Sequence, residues 1–143
     1  MTPDLISLAA SITVLPKWRW MPGMLTRNGD RIKVAAQYDD GRWRLDTSNS
    51  ESIYSTGLGD AWKCNWYDIN TGYDRGMAAD APLPDFTDAA TGGCMLEMLG
   101  RCEVYMFANS VVVHHISTAA VGNGATLAEA CARVAQARGV WSS

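Results

Sequence analysis

PDFTDAATGGCMLEML, residues 84–99, reads as the opening of a helix with a glycine pair about one turn in. Thr87 stands where a cap is needed, and Asp88 falls in the first turn, where a carboxylate suits the positive end of the helix dipole. An interior glycine weakens a helix by about 1 kcal/mol relative to alanine, so Gly92 and Gly93 need a compensating reason. Glycines at a helix start can cradle phosphate through free N–H groups. They can also let a neighbouring element approach closely. The pair begins five residues after Thr87, past the turn that holds free N–H groups, and no G-x-x-x-x-G-K-[ST] motif occurs. The expectation is close packing of this helix on a sheet, not a phosphate cradle.

The helix should run from about Asp88 to Gly100, with Cys94, Met95, Met98 and Leu99 on its buried stripe. It is followed by CEVYMFANSVVVHHIS, residues 102–117, which reads as a hairpin turning at Asn109-Ser110. Val104 and Met106 would face the core, and Tyr105 and Phe107 the other side. AAVGNGAT, residues 119–126, reads as a glycine-containing loop. It leads to a last helix in which Thr126 and Glu129 form a T-x-x-E capping box. Leu127, Cys131, Val134 and the stem of Arg138 would line its inner face, and Gly139 would stop it.

Upstream, Thr2 can cap a first helix with Pro3 at its first position, and Leu5, Leu8, Ala9 and Ile12 form one apolar stripe ended by Pro16. MLTRNGDRIKV, residues 24–34, carries the hairpin signal Asn28-Gly29. Ile32, Val34 and Ala36 share a face, as do Trp43 and Leu45 in GRWRLDT, with Arg42, Arg44 and Asp46 opposite. These segments form a three-stranded meander. AWKCNWYD, residues 61–68, can add a strand, but residues 48–83 otherwise read as a long, polar, glycine-containing loop, a length often associated with function. The predicted fold is a single α+β domain over residues 1–143. It has an antiparallel sheet of about five strands and three packed helices, in the order helix, three strands, helix, two strands, helix.

Composition narrows the function. The chain has 143 residues, 48% of them hydrophobic, and a net charge of −3, which argues against binding duplex nucleic acid. No run reaches the ~20 apolar residues of a membrane span. MTPDLISLAASITVLP has no Lys or Arg before its apolar stretch, a poor signal peptide, so a cytoplasmic location is expected. Four cysteines without a CxxC pair then read as reduced thiols, Cys94 and Cys131 among the core of helices.

Pro84-Asp85-Phe86-Thr87-Asp88-Ala89-Ala90-Thr91 matches a P-x-[FYL]-[ST]-[DT]-x-x-[AT] helix start. With the late Thr126-Leu127-Ala128-Glu129-Ala130-Cys131-Ala132-Arg133-Val134-Ala135 run and WRWMPGM at residues 18–24, it resembles small tailed-phage and prophage proteins of the ABA-sandwich type. Gly92-Gly93 departs from the commoner form, in which larger residues follow the Thr. Among such proteins, the size and layout are similar to Thoeris anti-defence proteins. That likeness implies a homo-oligomer, in an infected bacterial host cell, that binds and sequesters a cyclic ADP-ribose isomer or another cyclic nucleotide without cleaving it.

On that reading, phosphates would meet the start of the last helix, at Asn123, Gly124, Ala125 and Thr126. Arg44 or Arg19 would neutralise charge, and Asn109 and Phe107 would contact the base. Gly124→Asp would then block the ligand and leave the fold intact. Each feature also has a plainer reading: a capped connector, solvated arginines beside core tryptophans, a turn residue, and a core or interface aromatic. His114 and His115 point to opposite faces of a regular strand and cannot share a metal ion. With no nucleophile–base pattern, no cofactor motif and no metal motif, an enzyme is disfavoured. The competing reading is a phage structural or assembly accessory, or a protein inhibitor, acting through its surface with no small-molecule ligand.

Overall fold

A computed structural model describes residues 1–49, 51–55, 62–68, 73–79 and 81–142, with backbone alone for 63–68 and 73–79. The protein is α+β. Its elements are α1 (Pro3–Thr13), β1 (Ile32–Gln37), β2 (Trp43–Thr47), β3 (Glu51–Ser55), β4 (Trp62–Asp68), β5 (Tyr73–Ala79), α2 (Ala89–Leu99), β6 (Cys102–Met106), β7 (Val111–His115), β8 (Val121–Gly124) and α3 (Leu127–Gln136). The order is therefore helix, five strands, helix, three strands, helix.

Two antiparallel sheets replace the single sheet expected. One is a meander in the order β1-β2-β3-β4-β5, and the other has the order β6-β7-β8. The reason lies in the connections. Each strand of the meander pairs with its neighbour in sequence, so that sheet is complete before α2 begins. Where the sequence suggests one domain, the chain divides into two compact units, Trp20–Pro82 and Met1–Arg19 with Leu83–Ser143.

In the unit Trp20–Pro82, the strand expected at 61–68 forms as β4, and the rest of the expected 48–83 loop is corrected, since β3 and β5 also lie within it. The β4–β5 ladder runs from Trp62↔Ala79 to Asp68↔Tyr73. β5, Tyr-Asp-Arg-Gly-Met-Ala-Ala, owes its strand more to its paired neighbour β4 than to its own weak β propensity. Gly57, Gly59 and Gly72 lie outside the described residues. The Asn28-Gly29 turn forms, with Gly29 at φ 90°, but its first arm is only an isolated bridge, Leu25↔Arg31, so the first strand of the expected meander is missing. Val34 and Ala36 do not share the face of Ile32. A bulge between Ile32 and Val34 shifts the register, so Ala35 pairs with Leu45 and Val34 stands 50% exposed. Trp43 and Leu45 do alternate with exposed Arg44 as expected.

In the other unit, α1 forms as its sequence indicates. Thr2 Oγ1 accepts from the Leu5 N–H at 3.3 Å, and Leu8, Ala9 and Ile12 are buried. The cap of α2 is Asp88, not Thr87. Asp85 Oδ1 accepts from both the Thr87 N–H (2.9 Å) and its hydroxyl (2.6 Å), holding Thr87 in a local turn. Asp88 Oδ2 then accepts from the Thr91 N–H at 2.9 Å, and the helix starts one residue later.

The helix α3 is the centre of this unit, with α1, α2, β7 and β8 around it. Ala128, Ala130, Cys131, Ala132, Val134 and Ala135 are buried, whereas Arg138 is exposed and Leu127 half-buried. Small residues on nearly all sides admit neighbours on nearly all sides. Gly92 serves this packing against α3, not against a sheet: a Cβ there would lie 3.0 Å from the Ala128 N and 3.1 Å from the Leu127 Cβ. Gly93 faces open space.

Cys94, Cys102 and Cys131 are free thiols. Burial, with a smaller contribution from nearby Cys102, pushes the Cys131 thiol from 9.0 up to about 12. Because the folded state holds this proton more tightly than the unfolded chain, the associated stability is fully present below pH 9. It is lost as pH rises from 9 toward 12. We predict that iodoacetamide at pH 8 labels Cys131 only after denaturation, and that Cys131→Ala flattens part of the alkaline fall in stability. Labelling of the folded protein at Cys131, read by peptide mass spectrometry, would contradict this.

Candidate functional site

The start of α3 is built as expected but is already occupied by the chain itself. Thr126 Oγ1 accepts from the Glu129 N–H at 3.2 Å and donates to the Phe86 carbonyl at 2.5 Å. Glu129 Oε2 accepts from the Ala125 N–H at 2.8 Å. A carboxylate thus stands where the sequestration reading puts a phosphate, and it takes the benefit of the helix dipole.

Gly124 is the glycine that makes room for Glu129. A Cβ added there would lie 2.6 Å from both Glu129 Cγ and Oε2. Gly124→Asp is therefore not the neutral probe it looks in sequence, since it presses a second carboxylate against the first. The expected loop at 119–126 is also corrected. Residues 121–124 form β8, with Asn123 exposed on the outer face and Gly122 against α3. A Val-Gly-Asn-Gly run carries a strand signal after all: its glycines alternate, and both point at a helix too close for a side chain.

The ladder pairs Met106 with Val111 and Val111 with Gly124. The hairpin turn, closed by the Phe107 N–H to the Ser110 carbonyl at 2.8 Å, therefore lies at the same sheet end as Gly124. Phe107, Asn109, Asn123 and Gly124 thus lie toward one end of this sheet, with β7 between the β6 and β8 ends, and Ala125 and Thr126 follow Gly124 into α3. Phe107 is 61% exposed, and so is Met106, at 70%, contrary to the expected core position. The reason is that α3 covers β7 and β8, leaving the end of β6 uncovered. Arg44 belongs to the other unit, where its guanidinium meets Asp46 at 3.1 Å. Asp46 holds its proton above the usual arginine range. Arg42 is bound to Asp40 at 2.6 Å and lies over the Tyr38 ring. Arg19 is exposed, and its flanking Trp18 and Trp20 are buried, unavailable for stacking on a base.

The two histidines diverge as strand alternation requires. His114 Nδ1 lies on the outer face, 3.8 Å from Glu103 Oε2, which also accepts the Tyr105 hydroxyl at 2.5 Å. That hydrogen bond to Glu103 raises the pKa of the exposed phenol. His115 is buried, with Nε2 3.0 Å from the Leu99 carbonyl and Nδ1 2.7 Å from Thr118 Oγ1. It ties the end of α2 to β7. His115→Ala strands the buried Leu99 carbonyl and should cost about 2 kcal/mol in urea unfolding; a loss below about 0.5 kcal/mol would show the tie to be ornamental.

A polar groove of about 420 Å³ lies along α1 and α3, lined by Asp4, Ser7, Leu8, Ser11, Arg133 and Gln136. Among the described residues, no group of three or more His, Cys, Asp or Glu side chains could hold a metal ion, and no helix is long and apolar enough to cross a membrane.

The free edge of β6 is a surface that sequence reading missed. In β6 and the residues that flank it, Arg101, Glu103, Tyr105 and Phe107 turn their backbone groups toward β7. The anchoring bonds are Phe107 N–H to Ser110 O and Ile116 N–H to Arg101 O. Antiparallel alternation then points the N–H and C=O of Cys102, Val104 and Met106 away from the sheet. Among the described residues, no strand pairs with this edge. Tyr105, Met106 and Phe107, 48%, 70% and 61% exposed, surround it. The Cys-Glu-Val-Tyr-Met-Phe run hinted at this, because one face is apolar throughout and the other carries two aromatics after Glu103. No family model, curated protein or solved structure matches this chain.

Proposed function

We propose that this protein is a non-catalytic binding protein that takes an extended segment of a protein partner onto the free edge of β6. That places it with the accessory and inhibitor reading, ahead of nucleotide sequestration. The observation that carries the proposal is the unpaired backbone of Cys102, Val104 and Met106 beside three exposed apolar side chains. An edge of this kind is a ready template for strand addition: the backbone supplies affinity, and alternate side chains supply selectivity. The opposite edge of the same sheet, β8, is shorter and offers only Val121 as an exposed apolar side chain.

Selection of displayed random peptides against the purified protein tests this. Peptides with apolar residues at alternate positions should be enriched, and Val104→Pro should weaken them at least about tenfold, by ~1.4 kcal/mol. Proline at 104 removes an outward N–H and takes no bond from the ladder to β7, a placement edge strands tolerate. Equal binding to Val104→Pro, or no enrichment, would sink the proposal. One observation favours sequestration instead, the groove that includes Arg133. A thermal shift with cyclic ADP-ribose isomers that disappears in Arg133→Ala would carry that second reading.

A further inference from the structure

We infer that a second copy of this chain can occupy the β6 edge, pairing β6 with β6 antiparallel about a two-fold axis at Val104. This rests on the edge reading above and names one partner for it. The argument is complementarity within Arg101-Cys102-Glu103-Val104-Tyr105-Met106-Phe107. Run antiparallel against itself and centred on Val104, this segment sets Arg101 opposite Phe107 of the partner subunit. It sets Glu103 opposite Tyr105 of the partner subunit, and Cys102 opposite Met106 of the partner subunit.

Cation meets aromatic face, carboxylate meets phenol, and apolar meets apolar, with no like charges directly opposite. The Tyr105 hydroxyl already bonds Glu103 along its own strand at 2.5 Å, so the two groups are chemically matched and need only exchange partners. Every outward N–H and C=O of Cys102, Val104 and Met106 finds a mate in this register. Neighbouring registers are worse: centring on Glu103 sets carboxylate against carboxylate, and centring on Tyr105 sets Glu103 against Phe107. There is room on the inner face as well, because α3 lies over β7 and β8, and Met106 is open to solvent. The product is one continuous sheet twice as wide, in which each exposed aromatic gains a cross-strand neighbour and both subunits use the same surface, as an isologous interface does.

Sedimentation velocity across the micromolar range tests it. The wild type should show a concentration-dependent dimer, and Val104→Pro should raise its dissociation constant at least about tenfold with an unchanged far-UV spectrum. Val104→Cys supplies the positional check. Residues facing each other across a hydrogen-bonded antiparallel pair have Cα atoms about 5.5 Å apart, within disulfide reach. Mild oxidation should therefore link the two substituted positions, as read by mass spectrometry. A wild type that stays monomeric, a dimer insensitive to Val104→Pro, or oxidation that joins other positions would each overturn the inference. A monomer that still takes selected peptides would leave the edge reading standing, so the two failures are separable.

Discussion

Replacing Gly122 by alanine should cost this protein about 3 kcal/mol of stability or more, at the upper end of overpacking effects. A Cβ at Gly122 would stand 2.4 Å from the Ala130 carbonyl oxygen and 2.8 Å from the Val134 N. Both are backbone atoms of α3, so no side-chain rotation relieves the clash, and the helix must move off β8. Gly93→Ala is the control. Nothing lies within 4 Å of its Cβ, and in a helix interior alanine should stabilise by about 0.5–1 kcal/mol. Gly92→Ala should fall between, since its neighbours at 3.0–3.2 Å include the Leu127 side chain, which can yield a little. Urea midpoints at constant m read all three. A Gly122→Ala variant within about 1 kcal/mol of wild type would mean that α3 and β8 are not in such close approach.

Trp141→Ala should cost about 4 kcal/mol, as large-to-small changes at buried aromatics do. Trp141 is only 2% exposed, and its ring meets Trp18 edge-on at 6.0 Å between centroids. The pair ties the segment after α3 to the segment after α1. Urea unfolding should register the loss together with a weakened near-UV circular dichroism signal. Trp141→Phe should recover part of both, because it restores apolar volume and an aromatic edge. Unchanged stability in Trp141→Ala would show the C-terminal segment to be loose.

Much of the local structure could be read from short-range chemistry. Thr2 with Pro3, and Thr126 with Glu129, start α1 and α3 where expected, because a cap involves only residues three or four apart. Asn28-Gly29 turns the chain for the same reason: a positive φ is a property of the glycine itself. Thr87 against Asp88 shows the limit. Two adjacent residues could each cap α2, and Asp85 settled the choice by capturing Thr87.

The candidate site was legible as residues but not as an arrangement. Asn123, Gly124, Ala125 and Thr126 do lead into a helix start, at the same sheet end as the Phe107–Ser110 turn. Sequence could not show that Glu129 folds back to fill that start, since a capping carboxylate and a bound anion call for the same free N–H groups. Nor could it show which faces are covered. Met106 has the alternation of a core residue and the exposure of a surface one, because burial depends on where α3 ends over the sheet.

Chain-local chemistry alone was enough for the three helices, the caps of α1 and α3, the hairpin turns and the α+β class, all properties of neighbours along the chain. Tertiary structure alone decided the separation into two sheets, the bulge that turns Val34 outward and the strand formed by Val121–Gly124. It also decided that β6 stands at an edge of its sheet. These depend on partners far away in sequence: a strand exists only when another strand supplies its hydrogen bonds, and a glycine becomes indispensable only when another backbone arrives against it.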